Sequence, residues 1–383
     1  MRHAFHADPA YYEDRAAGLL ASARDGTAGA VAAFGSAPLT DAGARAVVAA
    51  EHGCDGWAEL LDRVAVLPRS EEPFVLAYRA VEAHDVGALR AVLDTAPDVV
   101  RAEGTNGNDL LGMAASTCDE RTVGLLLERG ADVAHANAHG WTALHQAASA
   151  GLVPLTQLLL DAGAPVDVSA RGEGGTPLVV ALFWGRRRTA ELLAARSRAP
   201  GNLRVAAGLG DLALLGAVHG TPGAGAGRAF YRPHGGFPAW TPSGDPGEVV
   251  DEALSWAARN DRVEALAALV ERGARVDADV YRGTALAWAA ATDRPAAIAA
   301  LVDLGADVDV RGTFGGPDHG AGVTALHLAA EGGRLGAMRA LLDAGADRTI
   351  RDALHGGTPA DWAEHGGADE AVALLRAGRL PAP

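Results

Sequence analysis

Lysine is absent: all 33 basic residues of this 383-residue chain are arginine. Against 48 acidic residues they leave a formal net charge of -15. Such a surface repels nucleic acid phosphates and anionic lipid, whose capture depends on basic side chains neutralising phosphate. Nucleic acid and membrane are therefore not expected partners, and the one basic run, Arg186 to Arg188, reads as a solvated helix face. Cysteine is nearly absent too. Cys54 and Cys118 are too few for a disulfide framework and lack the spacing of a zinc or redox pair. Both are expected as free thiols in a reducing compartment. No apolar h-region follows the opening MRHAFHADPAYYEDR, and no run reaches the ~18 apolar residues of a membrane span. The chain is expected to be soluble and cytoplasmic. Aromatics are only 5% of the residues, so the places where they gather are informative.

What the chain has in abundance is self-similarity. The clearest unit is GVTALHLAAEGGRLGAMRALLDAGADRTIRD, residues 322 to 352, and a second is GWTALHQAASAGLVPLTQLLLDAGAPVDV, residues 140 to 168. In the first, Leu326, Ala329 and Ala330 form one apolar stripe at helical spacing. Leu335, Met338, Leu341 and Leu342 form another. Two short helices lying back to back are predicted, with Gly333 in the tight reversal between them and Gly345 as a left-handed cap on the second. An extended excursion, or finger, then leads to the next unit.

This pattern resembles the ankyrin repeat, with its T-P-L-H-x-A-A opening and G-A-D close, which implies an all-α ankyrin-repeat α-solenoid. With Thr324 as phase mark, equivalent positions fall at 75, 109, 142, 176, 201, 252, 284, 324 and 358, in steps of 34, 33, 34, 25, 51, 32, 40 and 34. The units at Val75, Gly201 and Glu252 keep the helix pattern but lose the T-P-L-H letters. About nine helix pairs are expected, each burying its apolar face only against its neighbours. The expected organisation is a helical capping module over 1–68, repeats 1–5 over 71–218, an aromatic and proline-rich insertion over 219–246, and repeats 6–9 with a C-terminal cap over 247–378. In the capping module Ala16, Leu19, Leu20 and Ala23 form one stripe, Thr40 caps a helix running to Gly53, and Trp57, Leu60, Leu61 and Val64 form another stripe. The stretches LTDAGARAVVAAEHGCDGWAELLDRV, FYRPHGGFPAW, GTFGGPDHG and HGGTPADWAEHGG further resemble a group of functionally uncharacterised bacterial ankyrin-repeat domain-containing proteins. That resemblance covers nearly the whole chain and implies no activity.

The 25-residue step means that the fourth repeat has lost its finger. The adjoining 51-residue step means that the fifth has an enlarged one. Within that enlarged finger AFYRPHGGFPAWTP places Phe230, Tyr231, Arg232, His234, Phe237 and Trp240 together, stiffened by prolines that remove backbone donors. Two roles stay open for it: a lid folding back over the gap beside Trp184, or a plug in the seam between the halves of the array.

Most other conspicuous residues have structural roles. His145 and His327 hold the T-x-L-H position, whose imidazole the resemblance assigns to hydrogen bonds between neighbouring repeats. Trp256, Trp288 and Trp362, at the fifth position of their helices, read as core. Trp141, Phe183 and Trp184 differ: in ankyrin proteins those sites face the concave groove and vary with partner. Exposed aromatics there cost solubility unless something covers them. Tyr281 and Phe314 lie along the neighbouring fingers. Four His-Gly pairs, at His139, His234, His319 and His355, occur in inter-repeat loops, with Asp318 before one of them. They have no recognised metal-ligand register. Neither GEGGTP nor GAGAGR follows a strand and opens a phosphate-binding helix, and there is no G-x-S-x-G or H-E-x-x-H.

The expectation is a non-enzymatic scaffold with no cofactor and no metal, binding another protein, favoured by a basic surface, through its concave helices and fingers. An enzyme or small-molecule-binding protein, with a pocket closed by the insertion and using His234, Asp318 and His319, is the alternative.

Overall fold

The computed structural model describes residues 9–24, 28–66, 72–104, 107–170, 175–197, 201–217, 245, 247–280, 283–314 and 321–377. The insertion residues Phe230, Tyr231, Arg232, His234, Phe237 and Trp240 lie outside them, as do Tyr281, Asp318 and His319. The described residues fall into two compact units, one holding 9–180 and 192–197, the other 181–191, 201–217, 245 and 247–377. Their regular structure is helical, and the extended fingers contribute only isolated antiparallel bridges, such as Ala136 with Thr142 and Gly312 with Val323. The fold is an all-α solenoid of helix pairs.

The first unit opens with four helices, α1 (Pro9–Arg24), α2 (Ala28–Phe34), α3 (Asp41–Glu51) and α4 (Trp57–Val66). Thr40 caps α3 as its sequence predicts, its hydroxyl accepting the Gly43 N–H at 3.1 Å. The stripe of Ala16, Leu19, Leu20 and Ala23 meets Leu60 and Val64 in one buried core. That core continues into Val75 on the first repeat helix, so the module shares its interior with the array. Helix pairs follow: α5 (Pro73–Glu82) with α6 (Val86–Thr95), α7 (Leu110–Ser116) with α8 (Glu120–Glu128), and α9 (Ala143–Ala150) with α10 (Val153–Asp161). Inner helices α5, α7 and α9 pack in succession, and so do outer helices α6, α8 and α10.

The second unit repeats this arrangement with α13 (Leu203–Leu209) and α14 (Leu212–Ala217), α15 (Glu248–Arg259) and α16 (Val263–Glu271), and α17 (Ala285–Ala291) and α18 (Pro295–Asp303). The pairs α19 (Ala325–Glu331) with α20 (Leu335–Asp343) and α21 (Pro359–His365) with α22 (Asp369–Arg376) complete it. Between the units in sequence lie α11 (Pro177–Phe183) and α12 (Arg187–Ala194). Residues 181–191 of that pair belong to the second unit.

The backbone carries the repeat phase independently of the letters. A left-handed residue sits in the turn between the helices of each pair: His84, Cys118, Gly151, Gly185, Gly210, Asp261, Asp293, Gly333 and Gly367. They recur at the steps read from the sequence, through the degenerate units as well. Where the turn residue is Asp its side chain has a further use. Asp261 accepts the Ala297 N–H at 3.0 Å and Asp293 the Ala337 N–H at 2.7 Å, so each caps the outer helix of the next repeat. Two details differ from expectation. The fifth unit is capped by Asn202, one residue after its phase mark, and α5 and α15 begin several residues earlier than their marks.

The T-x-L-H histidines join repeats as the resemblance implies. In the first unit Nδ1 of His145 accepts the Thr142 N–H at 3.1 Å while Nε2–H donates to the Gly175 carbonyl at 3.0 Å, which fixes one neutral tautomer. His327 repeats this with Thr324 and Gly357. Burial pushes the His145 pKa from 6.5 down to about 4, and burial lowers His327 as well. The unfolded chain therefore takes up protons at pH values where the folded one does not, and stability falls as pH drops from 6.5 towards 4. Urea unfolding of the chain at pH 7 and pH 5 is expected to show this loss. A His145→Gln variant should be less stable at pH 7 yet lose about 2 kcal/mol less than the parent between the two pH values.

Candidate interaction surface

The carbonyl groups at the C-terminal end of a helix have no partners within it and carry partial negative charge. At the end of α11 those groups are taken by side chains from much later repeats. Arg259 Nη1 donates to the Phe183 carbonyl at 2.9 Å, Asn260 Nδ2 to Leu182 at 2.8 Å, and Arg294 Nη2 to Gly185 at 2.6 Å. Gly185 permits this approach: its φ is +65°, and a Cβ there would sit 2.5 Å from the Arg259 carbonyl oxygen. The end of α11 is thus in direct contact with the turns that close α15 and α17.

Around this junction the inner-face aromatics close on a cation. The Arg259 guanidinium carbon lies 3.6 Å from the Trp288 ring centre, 4.9 Å from Phe183 and 5.7 Å from Trp256. Phe183 meets Trp256 and Trp288 edge-on at 5.9 and 5.7 Å. Arg259 is 1% exposed and donates further to the carbonyl and hydroxyl of Ser255 at 3.1 and 2.8 Å. Beside it Arg204 and Glu252 form an ion pair at 2.9 Å with side chains 3% and 5% exposed. Every residue of α15 is buried, its charged ones included.

These contacts redistribute the expected surface. Phe183, placed on the open groove by the sequence, is instead 2% exposed, because Trp256, Trp288 and Arg259 cover it. Trp184 stays half-buried, edge-on to Phe183 at 5.1 Å. Trp141 is half-buried on its finger, tilted over the His145 ring at 5.1 Å, with its backbone N–H donating to the Asn137 side-chain oxygen. Phe314 is half-buried with its ring 4.9 Å from Trp288. Of the three tryptophans read as core, Trp256 and Trp288 are. Trp362 is only half-buried: it packs against the Val323 and Leu328 cluster, meets the His327 ring edge-on at 5.5 Å and donates its indole N–H to the Asp352 carboxylate.

The fingers present carboxylates that also tie repeats together. Asp277 accepts the Asp307 N–H, Asp279 the Thr313 N–H and Asp309 the Asp347 N–H. Within the basic run, Arg187 pairs with Glu191 at 3.1 Å, and Arg188 is exposed. Among the described residues no group of three or more His, Cys, Asp or Glu side chains is arranged to hold a metal ion, and no helix is long and apolar enough to cross a membrane.

Stacked helix pairs joined by left-handed turns, with fingers bridged by carboxylates, define a repeat protein that offers an inner helical face and a row of loop tips. The chain belongs to the ankyrin-repeat proteins: the family model for ankyrin repeats (3 copies) matches residues 111–203 and 243–312, and that for the single ankyrin repeat matches 321–353. It is similar to the ankyrin repeat and KH domain-containing protein mask of Drosophila melanogaster, with 36% identity over 94 residues. That match covers 24% of this chain and only 2% of the length of the Drosophila protein. Among solved structures it is similar to the human ASB11 ankyrin repeat domain, at 20% identity and a TM-score of 0.31, over 80% of this chain and 99% of the other. Ankyrin repeats are generally protein–protein interaction modules.

Proposed function

We propose that the chain is a non-enzymatic scaffold that captures another protein through its inner helical face and inter-repeat fingers. The observation that supports this most is the presence of half-buried tryptophans at finger and inner-helix positions, each held by neighbouring groups: Trp141 over His145, Trp184 against Phe183, and Trp362 on Asp352. A rigid aromatic with one face open contributes contact area at little entropic cost, which is how a few anchors come to carry most of an interface's energy. The charge of -15 favours a basic partner and speeds the encounter with it. Helices α1–α4 serve as the cap on the apolar end of the first repeat. The resemblance to bacterial ankyrin-repeat proteins adds no activity to this reading.

The test is capture of a partner from native cell extract by the immobilised full chain, repeated with Trp184→Ala. The variant is expected to recover roughly tenfold less partner while its far-ultraviolet circular dichroism stays unchanged. Equal recovery by both chains would remove Trp184 from the surface.

A further inference from the structure

The inner end of the last two described repeats encloses a cleft of about 630 Å³ that the expected site residues do not touch. Trp362 and His365 of α21, Glu331 at the end of α19, and His355 and Asp361 line it. Its construction is specific. Gly366 lets the end of α21 press against the end of α19, since a Cβ there would collide with the Glu331 carbonyl oxygen. That contact fixes the distance between the Glu331 and Trp362 walls. The indole of Trp362 is then locked in orientation, because its N–H donates to Asp352 at 3.0 Å. Asp352 is itself pinned. Burial opposes its charge, but the backbone N–H groups of His355, Gly357 and Leu354, with the Trp362 indole, outweigh that and hold its pKa at about 2. A permanent negative charge therefore sits at the indole edge while the ring lines the cleft.

The carboxylates differ in what occupies them. Asp361 is committed to its helix cap, accepting the Thr358 N–H at 2.7 Å and hydroxyl at 2.8 Å, and Arg351 lies 3.9 Å away across the rim. Glu331 makes no ion pair among the described residues. A cleft combining an aromatic face, a carboxylate free to accept and, among the described lining residues, no arginine or lysine is complementary to one chemistry above others: a guanidinium or ammonium on a slender alkyl stem. The planar cation stacks on the ring while its N–H groups reach the carboxylate.

We propose that this cleft binds an arginine or lysine side chain presented by an extended basic segment of the partner protein, with Trp362 as the stacking face and Glu331 as the counter-ion. This deepens the scaffold reading and rests on it. Its test does not require the native partner. A short fluorescein-labelled peptide of alternating glycine and arginine is titrated with the full chain, and fluorescence anisotropy is followed at low ionic strength. A counterpart with citrulline in place of arginine removes the charge at nearly constant shape. The arginine peptide is expected to bind at least about tenfold more tightly than the citrulline one. Glu331→Gln should weaken it about fivefold or more, whereas Glu264→Gln, which removes the same charge from an exposed site on α16, should leave it unchanged. Trp362→Leu, checked for an unaltered helical spectrum, should weaken it as well. Should Trp362→Leu not fold, the Glu331→Gln comparison decides alone.

Equal binding of the arginine and citrulline peptides, or equal small losses in the two Glu→Gln variants, would overturn the assignment and leave only the diffuse attraction of an acidic chain. Such a result, together with partner capture that still depends on Trp184, would refute the cleft while sparing the scaffold. Loss of that dependence with the peptide results intact would do the reverse.

Discussion

Replacing Arg259 with Ala is expected to destabilise the second unit by about 3–5 kcal/mol. Three losses coincide. The Phe183 carbonyl at the end of α11 loses its donor in a buried site, which alone costs about 1–3 kcal/mol. The Trp288, Phe183 and Trp256 rings lose the cation they enclose. The volume of a long side chain is left empty in a buried cluster. Arg259→Lys separates these contributions: it keeps charge and stem but has no planar fork to stack on Trp288 while reaching both Phe183 and Ser255. Its expected cost is about half as large. Urea unfolding followed by tryptophan fluorescence measures both, because three of the affected groups are Trp256, Trp288 and Trp184. Retention of parental stability by Arg259→Ala would contradict the junction described around it.

The second large effect concerns Arg204 and Glu252, and its sign depends on how many partners are changed. A buried ion pair recovers its desolvation cost only while both charges are present. Glu252→Leu leaves the Arg204 guanidinium buried beside the Trp256 ring, 6.0 Å from its centre, without its carboxylate. The expected loss is about 3–5 kcal/mol. Arg204→Met alone strands Glu252 in the same way. The double variant Arg204→Met with Glu252→Leu replaces the pair by apolar side chains of similar volume and is expected to fall within about 1–2 kcal/mol of the parent. Thermal or urea unfolding of the four chains closes the cycle. Additive losses in the double variant would show that the two residues do not depend on each other.

How much of this was legible in the letters varies from residue to residue. The stacking was, because the T-x-L-H opening and the turn glycine are local requirements. Even the degenerate unit at Glu252 betrays itself, since Asp261, like Asp293 in the next unit, is a residue that tolerates a left-handed turn and can cap a helix. The candidate surface was legible only in part. Periodicity places Phe183 on the inner face but not what covers it, and the group that does, Arg259, lies 76 positions further on. Arg259 itself looks like an ordinary polar residue near a helix end, and no local pattern marks it for burial. Trp362 was misread for the converse reason. It shares a helix position with Trp256 and Trp288, yet no described helix pair follows α21 and α22 to bring an arginine or a ring over it. One irregularity is visible in the letters: the period breaks at the shortened fourth and lengthened fifth units, and residues 181–191, grouped with the second unit, lie in the fourth.

Recognition by the inner face and fingers is the central claim, and hydrogen exchange of the full chain, alone and with the partner recovered by affinity capture, tests it most directly. Slowed exchange is predicted in the finger and inner-helix segments around Trp141, Trp184 and 352–365, with outer helices α8, α10, α16, α18 and α20 unaffected. Protection confined to those outer helices, or to α1–α4, would contradict the account.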